Sequence, residues 1–209
     1  MPSYHLTYFH GRGLGEVSRL IFAATNTAFT ETRLPIAFNP GAAPTWPEFE
    51  ALRATGALPY GQVPTLVVDG AAPIAQSKAI ERYLAGALGL AGASPLEAAR
   101  LDSVCEEIAD VKSKFTAAKG DAEKKAAFFA TDAPKMFGFI DAQLAAVGGA
   151  GVTLAEVYLF HLITHWAGED KAAFEAAATP GVKAAVAKVA ANAGVAAWEA
   201  ARAERKEIF

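Results

Sequence analysis

Hydrophobic and polar positions change their period once along this chain. Over Ser3–Phe9 (SYHLTYF) they alternate, which predicts a half-buried strand. In the following GEVSRLIFAATN, Val17, Leu20, Ile21 and Ala24 recur at helical spacing. FTETRLPI, with Phe29 and Leu34, predicts a second strand. The stretch 38–56 contains Pro40, Pro44 and Pro47 and predicts irregular chain with at most short helices. Thr65–Val68 predicts a buried strand, closed by the turn pair Asp69-Gly70. A short strand over Ala72–Ile74 and a helix over Ser77–Leu88 complete the order β-α-β, loop, β-β-α. GALGLAGASP (86–95) is a run of small residues and predicts a linker. Beyond it the period is helical throughout, over 95–116, 122–146, 153–166, 171–177, 180–190 and 194–205. Thr153-Leu-Ala-Glu156 has the form of a capping box where an apolar run begins. The chain has no internal repeat. The change of pattern predicts two domains, mixed α/β over 1–84 and all-α over 95–209.

Composition narrows the partners. The 209 residues are 53% hydrophobic and carry a net charge of −3. That is ample for a core, and the lack of basic excess argues against nucleic acid. The single cysteine, Cys105, excludes an internal disulfide framework and fits a reducing compartment. The first residues lack the pattern of a signal peptide, and no run of about 18 apolar residues marks a membrane span. A cytoplasmic protein without membrane attachment is expected.

Few segments carry chemistry on spacing alone. YFHGRGLGE follows a strand and opens a helix, as a dinucleotide-binding loop would. Its glycines, Gly11, Gly13 and Gly15, miss the required spacing, and Glu16 takes the place of the third. HLITH sets His161 and His165 one helical turn apart, but further ligands are missing nearby, so packed or surface histidines and no metal are expected. Cys105, between Val104 and Ile108, reads as an inert buried thiol. Tyr8 ends the first strand beside the glycine turn, where its hydroxyl could face a cleft or simply reach the surface. Val63-Pro64 precedes the third strand. Proline tolerates a strand's first position; a cis bond there would instead turn the backbone of Val63 toward a ligand. The dipeptide leaves both open, since about one X-Pro bond in twenty is cis.

Taken together, YHLTYFHGRGLGEVSRLIFA (4–23), WPEFEALRATGALPYGQVPTLVVDG (46–70) and IAQSKAIERYLA (74–85) resemble the cytosolic glutathione transferases. The sigma class, which includes the haematopoietic-type prostaglandin D synthases, is the nearest match. GVTLAEVYLF (151–160) continues the resemblance less closely. It implies a thioredoxin-like α/β domain followed by an all-helical domain, glutathione as co-substrate, no metal, and a homodimer with Tyr60 at the hydrophobic key position. It implies a cis Pro64, with the backbone of Val63 pairing with the cysteinyl part of glutathione. Gln76 and Ser77 would receive the γ-glutamyl carboxylate at a helix start, where Ser77 could also cap. Gln62 would touch the peptide, Trp46 and Arg53 would hold the glycyl carboxylate, and Asp110 would reach the glutathione amine across the dimer. Tyr8 matches the tyrosine that stabilises the glutathione thiolate, the catalytic step.

The departures shape the expected substrate. Leu14 stands where many sigma members have an arginine near the sulfur. The hydrophobic pocket implied is lined by Phe9, Leu14, Tyr158 and Leu162, with Phe209 folding over it. Ala117 stands where the prostaglandin synthases place a tryptophan. The expectation is conjugation of glutathione to hydrophobic electrophiles, with reduction of organic hydroperoxides as a companion activity and detoxification as the role. A glutathione-dependent prostaglandin-type isomerase and a non-catalytic structural protein on the same fold are the alternatives.

Overall fold

The computed structural model describes residues 2–38, 41–147 and 151–205. Two compact units emerge: residues 1–84 together with 197–209, and residues 85–196. The first unit is a four-stranded mixed sheet flanked by helices. Its elements are β1 (Tyr4–Phe9), α1 (Glu16–Ala24), β2 (Thr30–Leu34), α2 (Pro47–Ala54), β3 (Thr65–Val68), β4 (Ile74–Ala75) and α3 (Ser77–Leu88). The strand order is β2-β1-β3-β4. β2 runs parallel to β1, while β3 and β4 are antiparallel to their neighbours. The parallel pair follows from the helical crossover α1, which returns the chain to the same end of the sheet.

Tyr4 and Leu6 of β1 and Thr65 and Leu66 of β3 are buried, while the other residues of these two strands are partly exposed. Leu6, Leu66, Leu20, Ile21, Ile80 and Leu84 are fully buried and form the heart of this unit. Phe22 lies parallel to Phe29 at 4.4 Å between ring centroids and tilts against Tyr4 at 5.3 Å. A second cluster of Leu34, Phe49 and Leu58 lies beside it, with Phe9, Leu52 and Val63 packed on it. The proline-rich stretch yields one eight-residue helix, α2, with Pro47 in its first turn, where a missing N–H costs nothing. The fourth strand is the pair Ile74–Ala75, later than the alternation placed it, because its register with Leu66 and Thr65 decides the boundary.

The second unit is helical: α4 (Pro95–Ala118), α5 (Ala122–Ala127), α6 (Ala133–Val147), α7 (Leu154–His161), α8 (Lys171–Ala177), α9 (Pro180–Ala190) and α10 (Ala193–Ala200), whose end passes into the first unit, as does α11 (Arg202–Arg205). α4 buries Leu101, Val104, Cys105, Ile108, Val111 and Phe115 at the three-and-four spacing of an amphipathic helix. α7 is buried along its whole length and runs centrally, packed on α4 and α9. The helices expected over 122–146 and 153–166 are each interrupted by a wide turn, at Phe128–Asp132 and Leu162–Trp166. A turn of that kind leaves the hydrophobic period nearly intact, so the pattern does not reveal it. Phe115, Phe128, Phe129 and Phe174 pack edge to face or tilted around the first of them. No helix among the described residues is long and apolar enough to cross a membrane.

Candidate functional site

One end of the sheet gathers most of the predicted residues. Thr7 of β1 pairs with Thr65 of β3, so Tyr8 and Phe9 continue alongside the segment that enters β3, Val63-Pro64. Thr65 also pairs with Ala75, so Gln76 leaves β4 at this same end. The Val63–Pro64 bond is cis. Among the described residues, no hydrogen bond engages the N–H or C=O of Val63. Its side chain meanwhile is anchored in the Leu34–Phe49–Leu58 cluster. A backbone donor and acceptor so presented can pair with an extended peptide as an added strand would.

Tyr8 is held by its own turn. The backbone N–H of Leu14 donates to the Tyr8 hydroxyl oxygen at 2.9 Å. An oxygen that accepts this bond directs its own proton elsewhere, and accepting strengthens it as a donor. The glycines of the turn have a steric reason. A Cβ on Gly13 would stand 2.5 Å from the Tyr8 oxygen, and one on Gly15 2.7 Å from its ring. Gly13 also has φ +37°, which disfavours side chains. These glycines therefore admit a phenol, not a pyrophosphate. Phe9 meets Tyr8 edge to face at 5.6 Å and tilts against Trp46 at 6.2 Å.

Of the other glutathione contacts implied by the resemblance, Gln62, Gln76 and Ser77 adjoin this end of the sheet, and Asp110 lies on α4 in the second unit. Gln62 is exposed. Gln76 has φ 72°, a left-handed conformation that costs a non-glycine residue of order 1–3 kcal/mol and marks functional sites. The Gln76 carbonyl accepts from Ile80 N–H at 3.0 Å and closes the first turn of α3. The expected Ser77 cap is not formed: among the described residues its hydroxyl has no hydrogen bond, because Gln76 already occupies the capping position. The first amides of α3 are thereby left for another acceptor.

Trp46 and Arg53 meet in an unexpected way. The Trp46 indole N–H donates to Glu50 Oε1 at 3.0 Å, and the Arg53 guanidinium forms an ion pair with Glu50 Oε2. A side-chain carboxylate thus sits on both donors that were to receive a carboxylate from glutathione. Arg53 further lies over the Phe49 ring at 5.5 Å. Glu50 was missed in the sequence, although its spacing of four from Trp46 and three from Arg53 places all three on one helical face.

Of the pocket residues, Phe9 is half-buried and Leu14 is 60% exposed, both in the first unit. Tyr158 and Leu162 belong to the second unit, where both are buried, Leu162 completely. Asp110 and Ala117 are exposed on α4. Phe209 lies outside the described residues. His161 and His165 are buried, with rings edge to face at 5.6 Å, and Lys112 Nζ donates to His161 Nδ1 at 3.4 Å. Cys105 is buried.

Residues 4–86 match the glutathione S-transferase N-terminal domain, and residues 106–202 match a glutathione S-transferase C-terminal domain. Glutathione S-transferase 1 of Ascaris suum is 41% identical over 115 residues, 55% of this chain and 50% of that protein. That alignment therefore spans only half the relative's length. The haematopoietic prostaglandin D synthase of Gallus gallus is 37% identical over 165 residues, 76% of either chain. A crystal structure of a glutathione S-transferase from Necator americanus, described as monomeric, has 30% identity and a TM-score of 0.76. The superposition covers 96% of this chain and 97% of that one. Both domain matches and the long alignment converge on one conclusion: the chain belongs to the glutathione S-transferase family.

Proposed function

We propose that this protein is a glutathione transferase of sigma-like type. Tyr8 activates glutathione as a thiolate, which attacks hydrophobic electrophiles and, as a companion activity, reduces organic hydroperoxides. The observation that carries this reading is the Leu14 N–H bond to Tyr8 Oη, which leaves the hydroxyl proton to be donated. The peptide lies along Val63 as an added strand, with its γ-glutamyl carboxylate at the amides that open α3 beside Gln76 and Ser77. Gln62 touches it from the side, and Asp110 of a second copy meets its amine in a homodimer.

The chemistry follows from an ordinary thiol. With a pKa of about 8.5 it is only a few per cent ionised at neutral pH. A hydrogen bond donated to the sulfur favours the charged form. The thiol proton leaves to solvent, the sulfur lone pair forms the new bond to carbon, and the leaving group departs with its electrons. Leu14 in place of an arginine removes a cation from this step, so its backbone N–H and Tyr8 carry the activation. Phe9, half-buried, and Leu14, exposed, supply apolar surface beside Tyr8, which favours apolar electrophiles, whereas Tyr158 and Leu162 are buried within the second unit and present little or none.

A second reading, isomerisation by a prostaglandin D synthase, is favoured by the length of the alignment to the Gallus gallus enzyme. Ala117, small and exposed, offers no aromatic ring against which a lipid could stack, and this weighs against it. The deciding experiment is a pH titration of the glutathione-saturated protein, followed by the ultraviolet absorbance of bound thiolate. Thiolate is expected well below the pH of free glutathione, and at higher pH in Tyr8→Phe. Ionisation as in water would leave a binding protein, and a lack of saturable binding would remove the site assignment altogether.

A further inference from the structure

Behind Tyr8 lies a charged network that the reaction above does not use. α1 is buried from Glu16 to Phe22, and it takes two charges into that burial: Glu16 and Arg19 are both 0% exposed. Charged side chains are rarely so placed unless their polar atoms are engaged. Arg19 donates through Nε to Glu31 at 2.9 Å. One terminal nitrogen donates to the Gly11 carbonyl at 2.7 Å and to Glu16 Oε2 at 3.2 Å. The other reaches the Phe9 carbonyl at 3.4 Å. Its guanidinium carbon stands 5.8 Å from the centre of the Tyr8 ring. Arg19 therefore grips the turn on both sides of His10 and supports the phenol directly.

The network reaches much further along the chain. The remaining Glu16 oxygen, Oε1, accepts from the indole N–H of Trp198 at 3.0 Å. Trp198 belongs to the stretch from Ala197 onward that returns to the first unit. It is itself fixed: Arg205 lies 3.8 Å from its ring centre and donates to its carbonyl at 2.7 Å. A second link meets the same turn independently, since the Arg205 carbonyl bonds to His10 Nε2 at 2.9 Å.

We propose that Trp198 is a positioning residue for Tyr8. Its indole N–H fixes the Glu16 carboxylate, Glu16 and the turn carbonyls fix Arg19, and Arg19 holds the phenol where Leu14 N–H meets its oxygen. What is transmitted is orientation and not charge. Glu31 is shared between Arg19 and Arg33, so in this cluster two guanidiniums are matched by the two carboxylates of Glu16 and Glu31. A phenylalanine at 198 would keep the ring stacked on Arg205 and against Phe29 but would have no proton to donate.

The inference rests on Tyr8 activating glutathione, so the test includes Tyr8. Trp198→Phe, Tyr8→Phe and the double variant are compared with the parent protein, using glutathione and chlorodinitrobenzene. Trp198→Phe should lower kcat by about three- to tenfold, the range of coupling through a packed network. KM for glutathione should hold, and bound thiolate should appear at higher pH. In the Tyr8→Phe background the same substitution should add nothing, because the two act as a unit. Equal losses in both backgrounds, or no loss in either, would overturn the proposal and leave the Tyr8 assignment standing. No effect of Tyr8→Phe alone would overturn both. Glu16→Gln, which keeps the shape and weakens the link, carries the same cycle should Trp198→Phe fail to fold.

Discussion

Glu50 is exposed on α2, four residues after Trp46 and three before Arg53. Its carboxylate holds Trp46 and Arg53, which the family resemblance assigns to the glycyl carboxylate of glutathione. Glutathione bound as the resemblance implies would have to displace or share that carboxylate. Glu50→Gln should lower KM for glutathione about two- to fivefold with kcat unchanged, since an exposed pair is worth up to ~1 kcal/mol. A dipeptide lacking the glycine should show no such gain. A rise in KM would mean instead that Glu50 orients Trp46 and Arg53 for the ligand. The glycines of the first turn are a second lesson at this scale. Their spacing excluded a dinucleotide, but only the approach of the Tyr8 ring to Gly13 and Gly15 explains why side chains are absent there.

Among the elements, α7 shows how a short sequence signal governs a buried helix. The Thr153 hydroxyl accepts from Glu156 N–H at 3.4 Å, and Glu156 Oε2 accepts from Thr153 N–H at 2.8 Å. Lys188 on α9 then pairs with Glu156 at 3.0 Å, tying the cap to a neighbouring helix. Because α7 is buried along its length, fraying there exposes core. Thr153→Ala should cost about 1–2 kcal/mol, the upper part of the usual capping range, with Thr153→Ser restoring most of it. Denaturant unfolding would measure this, and a change within about 0.3 kcal/mol, near the limit of additivity, would show the cap to be dispensable. The capping box was legible because its partners are three residues apart. The wide turns at Phe128–Asp132 and Leu162–Trp166 were not, since they change backbone bonding without breaking the apolar period.

At the scale of the whole molecule the open matter is association. Tyr60 is 67% exposed, and the proposed function has Asp110, exposed on α4, supplied to the glutathione site by a second copy. The protein is expected to sediment as a dimer, and Tyr60→Ser should shift it toward monomer at micromolar concentration while leaving each copy folded. Sedimentation of the parent protein as a monomer, the state described for the Necator americanus relative, would remove Asp110 from the site.

The sequence by itself determined the period of each main element, the change from mixed to helical chain, the capping box and the motifs around Tyr8 and Pro64. These depend on residues near one another in the chain, so local sterics and hydrogen bonding write them into the order of residues. Tertiary structure decided which donors are already taken and what supports Tyr8. Glu50 reads as an ordinary surface acid until its partners are placed. Glu16 and Arg19 form a charged pair in an apolar helix whose meaning depends on burial. The link from Trp198 to Glu16 spans 182 positions. A hydrogen bond of that reach leaves no periodicity or spacing to read, because it exists only once folding has brought the two groups together.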